Sequence, residues 1–438
     1  MRTIQNDLKS KLAGGLLLAL LLAFTQNAGA HARQLFVSPD GDGSDGKTWK
    51  TAFKSPSTIN WKSVNTGDII DIDGGASGIT YQGAVDVPVS NIVIRQSRRR
   101  GHSGQVTISG SGINPPAATG LTFSGSNIHV MGARRSGIKI AYFGSQIVKM
   151  QTNFNSLRNV ELTRTTGYMP YAQGQVAGIL YGGYGNRVLN CDIRDTWVNA
   201  VERPTETGAN LTQFHNCTFG NNGYGWWGHF GTGIYGSRSS SNKNTTTYVS
   251  HCVFGPYFND GIDFVQGRLS VSNCVFLGSA LSNLKFEPAS SDPGAVARIN
   301  RCTFYEPNFS GFSRYPYKLY QISTNGNGSV RVRNSIVYGG SIHVAAGQNV
   351  NGGGNIQFRV TGNTQALAPE LVDPQFVNDT QLSAPITATT IRPRTWTEQS
   401  YAVNAGSPAE NRGSTIVDIT SLVPAYGPTS SLPPLGGP

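Results

Sequence analysis

The octapeptide VSNCVFLG, residues 271–278, centres one cysteine between an asparagine and an alternating apolar run. VLNCDIRD (188–195), QFHNCTFG (213–220), VSHCVFGP (249–256) and RINRCTFY (298–305) repeat it, and together these strings contain all five cysteines of the chain. Aligned on the cysteine, each reads polar–Cys–x–apolar. The same slot occurs without cysteine at Asn159-Val160-Glu161-Leu162 and Asn334-Ser335-Ile336-Val337. Successive spacings are 31, 26, 35, 22, 28 and 33 residues. A fixed motif at a variable period above about twenty residues predicts coils of one solenoid joined by loops of unequal length.

Alternation puts each cysteine and the residue two positions later on one face. Phe219, Phe254, Phe276 and Phe304 occupy that later position, so the face is predicted to be interior, with a thiol column beside a phenylalanine column. Zinc ligation is disfavoured because close Cys/His pairs are missing. Disulfides are disfavoured because in-register neighbours point the same way and five thiols cannot all pair within one chain. The expected role of the cysteines is packing, and His251, which takes the asparagine slot, is expected to be a turn residue.

Glycine at 54 residues, abundant Asn and Ser, and short Val/Ile/Phe/Thr runs leave almost no amphipathic helix pattern. The reading is all-β, in a single domain over 31–413. Residues 1–30 read as a secretory signal peptide: Lys9 and Lys11, an apolar core from Leu16 to Phe24, then Ala28-Gly29-Ala30. Residues 414–438 read as a Pro/Ser-rich tail. Export, no membrane span and a monomer are expected. Removing Arg2, Lys9, Lys11 and Asp7 takes the net charge from +11 to about +9. A basic exported chain without a nucleic-acid module is expected to meet an acidic polysaccharide, and no nucleic acid.

A second strand follows in each coil: SGIKIA, NAVERP, TGIYGS, DGIDFV, SNLKFE, YKLYQI and SIHVAA. With Ile138, Val201, Ile234, Ile262, Leu284, Leu319 and Ile342 pointing inward, the next residues form an outward stripe. That stripe is Lys139, Glu202, Tyr235, Asp263, Lys285, Tyr320 and His343. Aromatic loops enter this strand and contain Trp226, Trp227, Tyr257, Tyr315 and Tyr317, whose flat rings suit stacking on sugars.

The stacked Asn/Cys/Phe coils resemble the right-handed parallel β-helix of the pectate-lyase-like superfamily. The segment LFVSPDGDGSDGKTWKTAFKSPSTINWKSVNTGDIIDI is similar to the entry segment of its secreted members, and an N-terminal cap over about 34–75 is expected. LVDPQFVN and YAVNAGSPAENRG are similar to a closing segment, expected over about 361–413. The resemblance spans roughly residues 34–413. It implies a carbohydrate-active enzyme, with a lyase acting on a uronate polymer as the leading expectation.

By that resemblance Lys285 is the base candidate, Asp263, Glu287 and Asp260 (or Glu202) are candidate Ca²⁺ ligands, and Tyr235 or Tyr320 is the candidate acid. His229 is a further catalytic candidate, and Arg238, Arg268 and Arg314 are candidate clamps for substrate carboxylates. Carboxylates beside Lys285 are expected to raise its pKa, which hinders a base unless a metal takes them up. Two alternatives stand beside the lyase. Asp263 and Glu287, about 8 Å apart on the diagonal, suit an inverting hydrolase, and the aromatic and basic residues alone suit a glycan-binding protein.

Overall fold

The computed structural model describes residues 32–111, 119–165, 176–196, 198–203, 211–220, 231–236, 245–255, 260–265, 267–277, 282–288, 292, 294–305, 320–324, 328–345, 349–358, 361–362, 367, 369–370 and 407. The expected signal peptide and C-terminal tail, and most of the expected closing segment, lie outside them. Strands dominate, in three parallel sheets of 12, 12 and 11 strands. Beyond the first two strands, Gln34–Val37 and Ile69–Ile72, which pair with each other, each coil contributes one strand to every sheet in turn, and each strand pairs with its counterpart one coil away. The fold is a right-handed parallel β-helix. Among the described residues no helix is long and apolar enough to cross a membrane.

One coil shows the path. Thr246–Ser250 lies in the first sheet, His251 turns the chain, Val253–Phe254 lies in the second sheet, and Asp260–Phe264 lies in the third. The turn between the first and second sheets is made by a single left-handed residue. Asn159, Asn190, Asn216, His251, Asn273, Arg301 and Asn334 hold it, at φ of 50–59°. Asparagine predominates because its short polar side chain tolerates this region and bonds locally. Asn216 Nδ2 donates to Asn190 Oδ1 at 2.9 Å, and Asn190 Nδ2 to Asn159 Oδ1 at 3.3 Å, linking coils along the turn. His251 is a turn residue, as its slot implies.

The cysteines follow this turn, and all five are free and buried. Thr218 N donates to Cys191 O, Val253 N to Cys217 O, Val275 N to Cys252 O and Thr303 N to Cys274 O, at 2.9–3.0 Å, so the coils stack in the expected register. The thiols do more than fill space. Each donates to the carbonyl two residues before it, from 3.2 Å for Cys252 to Ser250 O up to 3.5 Å for Cys302 to Asn300 O. Beside them Phe219, Phe254, Phe276 and Phe304 stack at 4.7 Å between centroids, with interplanar angles of 7–10°. That spacing is the strand separation of a sheet, about 4.8 Å. Burying each ring contributes about 1.5–3 kcal/mol.

Two parts of the outward stripe are corrected. Ile138–Phe143 belongs to the second sheet, where Lys139 pairs with Glu161 at 3.2 Å; this coil's third-sheet strand is Gln146–Met150. Apolar alternation is the same in all three sheets and does not by itself say which one a strand joins. In the strand Tyr320–Thr324, Ile322 lies opposite Leu284, so Ser323, not Tyr320, stands beside Lys285. Leu319, expected to point inward, lies outside the described residues. The pairing with the next coil is also irregular here, between Tyr320 and Ile322.

Candidate active site on the third sheet

The strands Asn199–Arg203, Ile234–Gly236, Asp260–Phe264 and Ser282–Phe286 place Glu202, Tyr235, Asp263 and Lys285 in one row. The row continues to Ser323 and His343, whose Oγ and Nδ1 lie 3.5 Å apart. Neighbouring coils lie about 4.8 Å apart. Glu202 therefore stands two coils from Asp263, with Tyr235 between them.

A local irregularity adds a second acid. On an unbroken strand Asp260 and Asp263, three apart, would face opposite sides. A Cβ at Gly261 would lie 3.0 Å from the Phe276 ring and 2.5 Å from Asn283 O. Glycine thus takes an interior-facing position beside the inward Ile262, and Asp260 turns to the same side as Asp263. An earlier coil has the same arrangement: Asn199 Nδ2 donates to Glu202 Oε2 at 3.0 Å, across the same three-residue interval.

Lys285 lies at the centre. Its Nζ is 3.4 Å from Asp263 Oδ2 and 3.1 Å from Glu287 Oε2. Burial acts to lower the lysine pKa, but the charges of Asp263, Asp260 and Glu287 outweigh it and raise the pKa above its usual value. Asp260 is fully buried, and neither of its carboxylate oxygens meets a donor in hydrogen-bonding geometry. Burial, then repulsion from Asp263, pushes its pKa well above the usual carboxylate range, against the pull of Lys285 and Ser282. Burial likewise raises Glu202, opposed by its bond from Asn199.

The structure brings together Asp260, Asp263, Lys285 and Glu287, and sets Tyr235 and Glu202 in the adjoining coils. Tyr320 opens its strand opposite Ser282, two coil steps from Asp260. Arg268 lies elsewhere: it begins the strand Arg268–Ser272 of the first sheet and cannot clamp a substrate on the third. Trp226, Trp227, His229, Arg238, Tyr257, Arg314, Tyr315 and Tyr317 lie outside the described residues. Asn199, Ser282 and Ser323 were not anticipated as members of this face. The small residue before the inward aliphatic, as in Gly261-Ile262 and Ala200-Val201, is the signal that would have found the first; Ser282 follows only from its pairing with Asp260. Among the described residues no three His, Cys, Asp or Glu side chains are grouped so as to hold a metal ion between them.

No family model and no curated protein matches the chain. Solved structures do. A pectate lyase, Pel9A, superposes with a TM-score of 0.50 at 14% identity, covering 87% of this chain and 92% of its own. A rhamnogalacturonan lyase gives 0.42 at 13%, covering 87% and 99%, and the Dettilon tailspike protein 0.42 at 13%, covering 79% and 69%. The parallel β-helix fold is shared with the pectate lyase Pel9A. At these identities the likeness is one of fold.

Proposed function

We propose that the chain is a polysaccharide lyase that cleaves an acidic, uronate-containing polymer by β-elimination. The observation that carries this reading is Lys285 set among Asp260, Asp263 and Glu287 on an outward face of the helix. Elimination needs a base to take the proton α to a uronate carboxylate, stabilisation of the resulting enolate charge, and protonation of the departing glycosidic oxygen. Neutral Lys285 is the base. Its electron pair takes the α-proton, the C–H electrons form the new double bond, and the bond to the leaving oxygen breaks. Tyr235, one coil from Asp263, is the group to protonate that oxygen.

Lys285 must lose its proton before it can act, and the three carboxylates oppose that. A Ca²⁺ ion fits the donor set, because Asp260 presents two buried oxygens that lack donors and Asp263 lies on the same face. Asp260 and Asp263 would hold it, with the remaining oxygens supplied by water and by a substrate carboxylate. When bound it supplies positive charge that offsets the carboxylates around Lys285 and the charge of a substrate carboxylate. The hydrolase alternative is weaker, since the Lys285 ammonium lies between Asp263 and Glu287, in the gap an inverting pair keeps for its water.

The test is a panel of acidic polysaccharides assayed both for an unsaturated, ultraviolet-absorbing product and for reducing ends. A lyase gives both signals together. Reducing ends alone would assign a hydrolase and overturn the proposal, as would full lyase activity in Lys285→Ala. Replacing the base is expected to cost at least about a hundredfold in rate. Calcium is checked without turnover: it should raise the melting midpoint of the parent and leave Asp260→Asn/Asp263→Asn unmoved.

A further inference from the structure

The outer face of the first sheet carries a charge pattern opposite to that of the third. Its nine strands from Ile128–Met131 to Asn349–Gly353 contain no Asp or Glu. One row of Cα partners across this face reads Arg187, Gln213, Tyr248, Ser270, Arg298 and Arg331. Arg268 opens the strand that holds Ser270, and Arg158 and Arg333 lie in the row alongside. All of these arginines are exposed, and among the described residues none is in an ion pair.

Two placements run against local stability. Arg298 and Arg331 are direct partners in neighbouring coils, about 4.8 Å apart, where like charges repel. Arg301, also exposed, occupies the left-handed turn at φ 52°, where asparagine is the usual occupant in this chain. The large apolar side chains that stand exposed among the described residues also gather here: Phe154 and Tyr184, edge to face at 5.8 Å, and Tyr248 in the middle of the arginine row. A groove of about 380 Å³ lies beside Tyr248, lined by Arg187, Leu211, Gln213, Tyr248, Ser250 and Ser270.

We propose that this face is a second, non-cleaving site that holds an extended chain of an acidic polysaccharide. The arginines would take its carboxylates or sulfates, Tyr248 would stack on a sugar face, and the Ser and Gln side chains of the floor would meet its hydroxyls. The flat sheet offers no helix or ribbon to enter a duplex groove. Its single central ring lacks the succession of platforms on which the bases of a single strand stack. The site does not depend on the catalytic reading.

The experiment uses the full chain carrying Lys285→Ala, so that nothing is cleaved. Polygalacturonate and alginate fragments are titrated into this parent, with neutral galactan and an oligodeoxynucleotide of matched charge as comparisons. The charged glycans should bind, and more weakly as salt rises. Arg187→Gln/Arg298→Gln/Arg331→Gln should weaken binding at least tenfold, and Tyr248→Ala several-fold. The melting midpoint of the triple variant should stay level or rise, because a repulsion is removed. Equal glycan binding by the triple variant and the parent overturns the proposal; so does tighter binding of the oligonucleotide than of either glycan, or equal binding of neutral galactan. With Lys285 restored, the triple variant should cleave the shortest substrates at the parent rate if the third-sheet site is a lyase centre. Loss of that activity in every form of the enzyme would overturn the lyase reading and leave this one standing.

Discussion

Lys285 and Asp260 pull stability in different pH windows. A carboxylate whose folded pKa is raised holds a proton that the unfolded chain has already released, so stability falls as pH rises from the ordinary aspartate range towards the raised value. Lys285, also raised, contributes its stability below the ordinary lysine pKa and loses it only as pH rises through the still higher folded value, in the alkaline range. From mildly acid to neutral pH the Asp260 effect therefore dominates, and the metal-free protein should melt at lower temperature as pH rises. Asp260→Asn should flatten that dependence and raise stability at neutral pH by about 1–3 kcal/mol, read by thermal melts across pH. Arg203 makes a comparable case inside the core. It is fully buried and lies over the Phe264 ring at 5.3 Å; Nε and Nη2 lack hydrogen-bond partners, and burial lowers its pKa. Arg203→Met should leave stability level or raise it, whereas a paired buried arginine would cost several kcal/mol to replace.

At the scale of one coil, stability divides between the turn residue and the stacked ring. Phe254→Ala should cost about 3–5 kcal/mol, because Phe219 and Phe276 hold the gap open from both sides and the coils cannot close over it. Arg301→Asn should stabilise by up to about 1 kcal/mol, since asparagine tolerates the left-handed turn and can extend the amide ladder. Chemical denaturation with a constant m-value checks both. The Asn/Cys/Phe segment was legible in the sequence because one turn residue separates its two strands, so neither can slip without moving the other. The third-sheet strands follow loops of differing length. There the inward residue was found from Glu202 to Lys285 but missed in the Tyr320 coil, and the Lys139 strand was assigned to the wrong face. Asp260 was joined to Asp263 through the family resemblance alone, because strict alternation sends residues three apart to opposite sides.

Over the whole molecule, five buried thiols without a bridge mean that reductant should not move the melting midpoint. A maleimide should label cysteine only after denaturation. Labelling of the native chain would show that the coils open locally. The acids and lysine of the candidate site were legible from chemistry and register together. The basic face was not, because its arginines are scattered from Arg158 to Arg333 and become neighbours only when the coils stack. The one-residue turn has a further consequence for engineering. Since the unit from Cys252 to Asn273 closes a full circuit in 22 residues and hands on the same register, it can serve as a cassette. Each inserted copy would lengthen every outer face by one strand spacing, about 4.8 Å, so the reach of the protein along a polymer would be adjustable in whole steps and in no smaller ones.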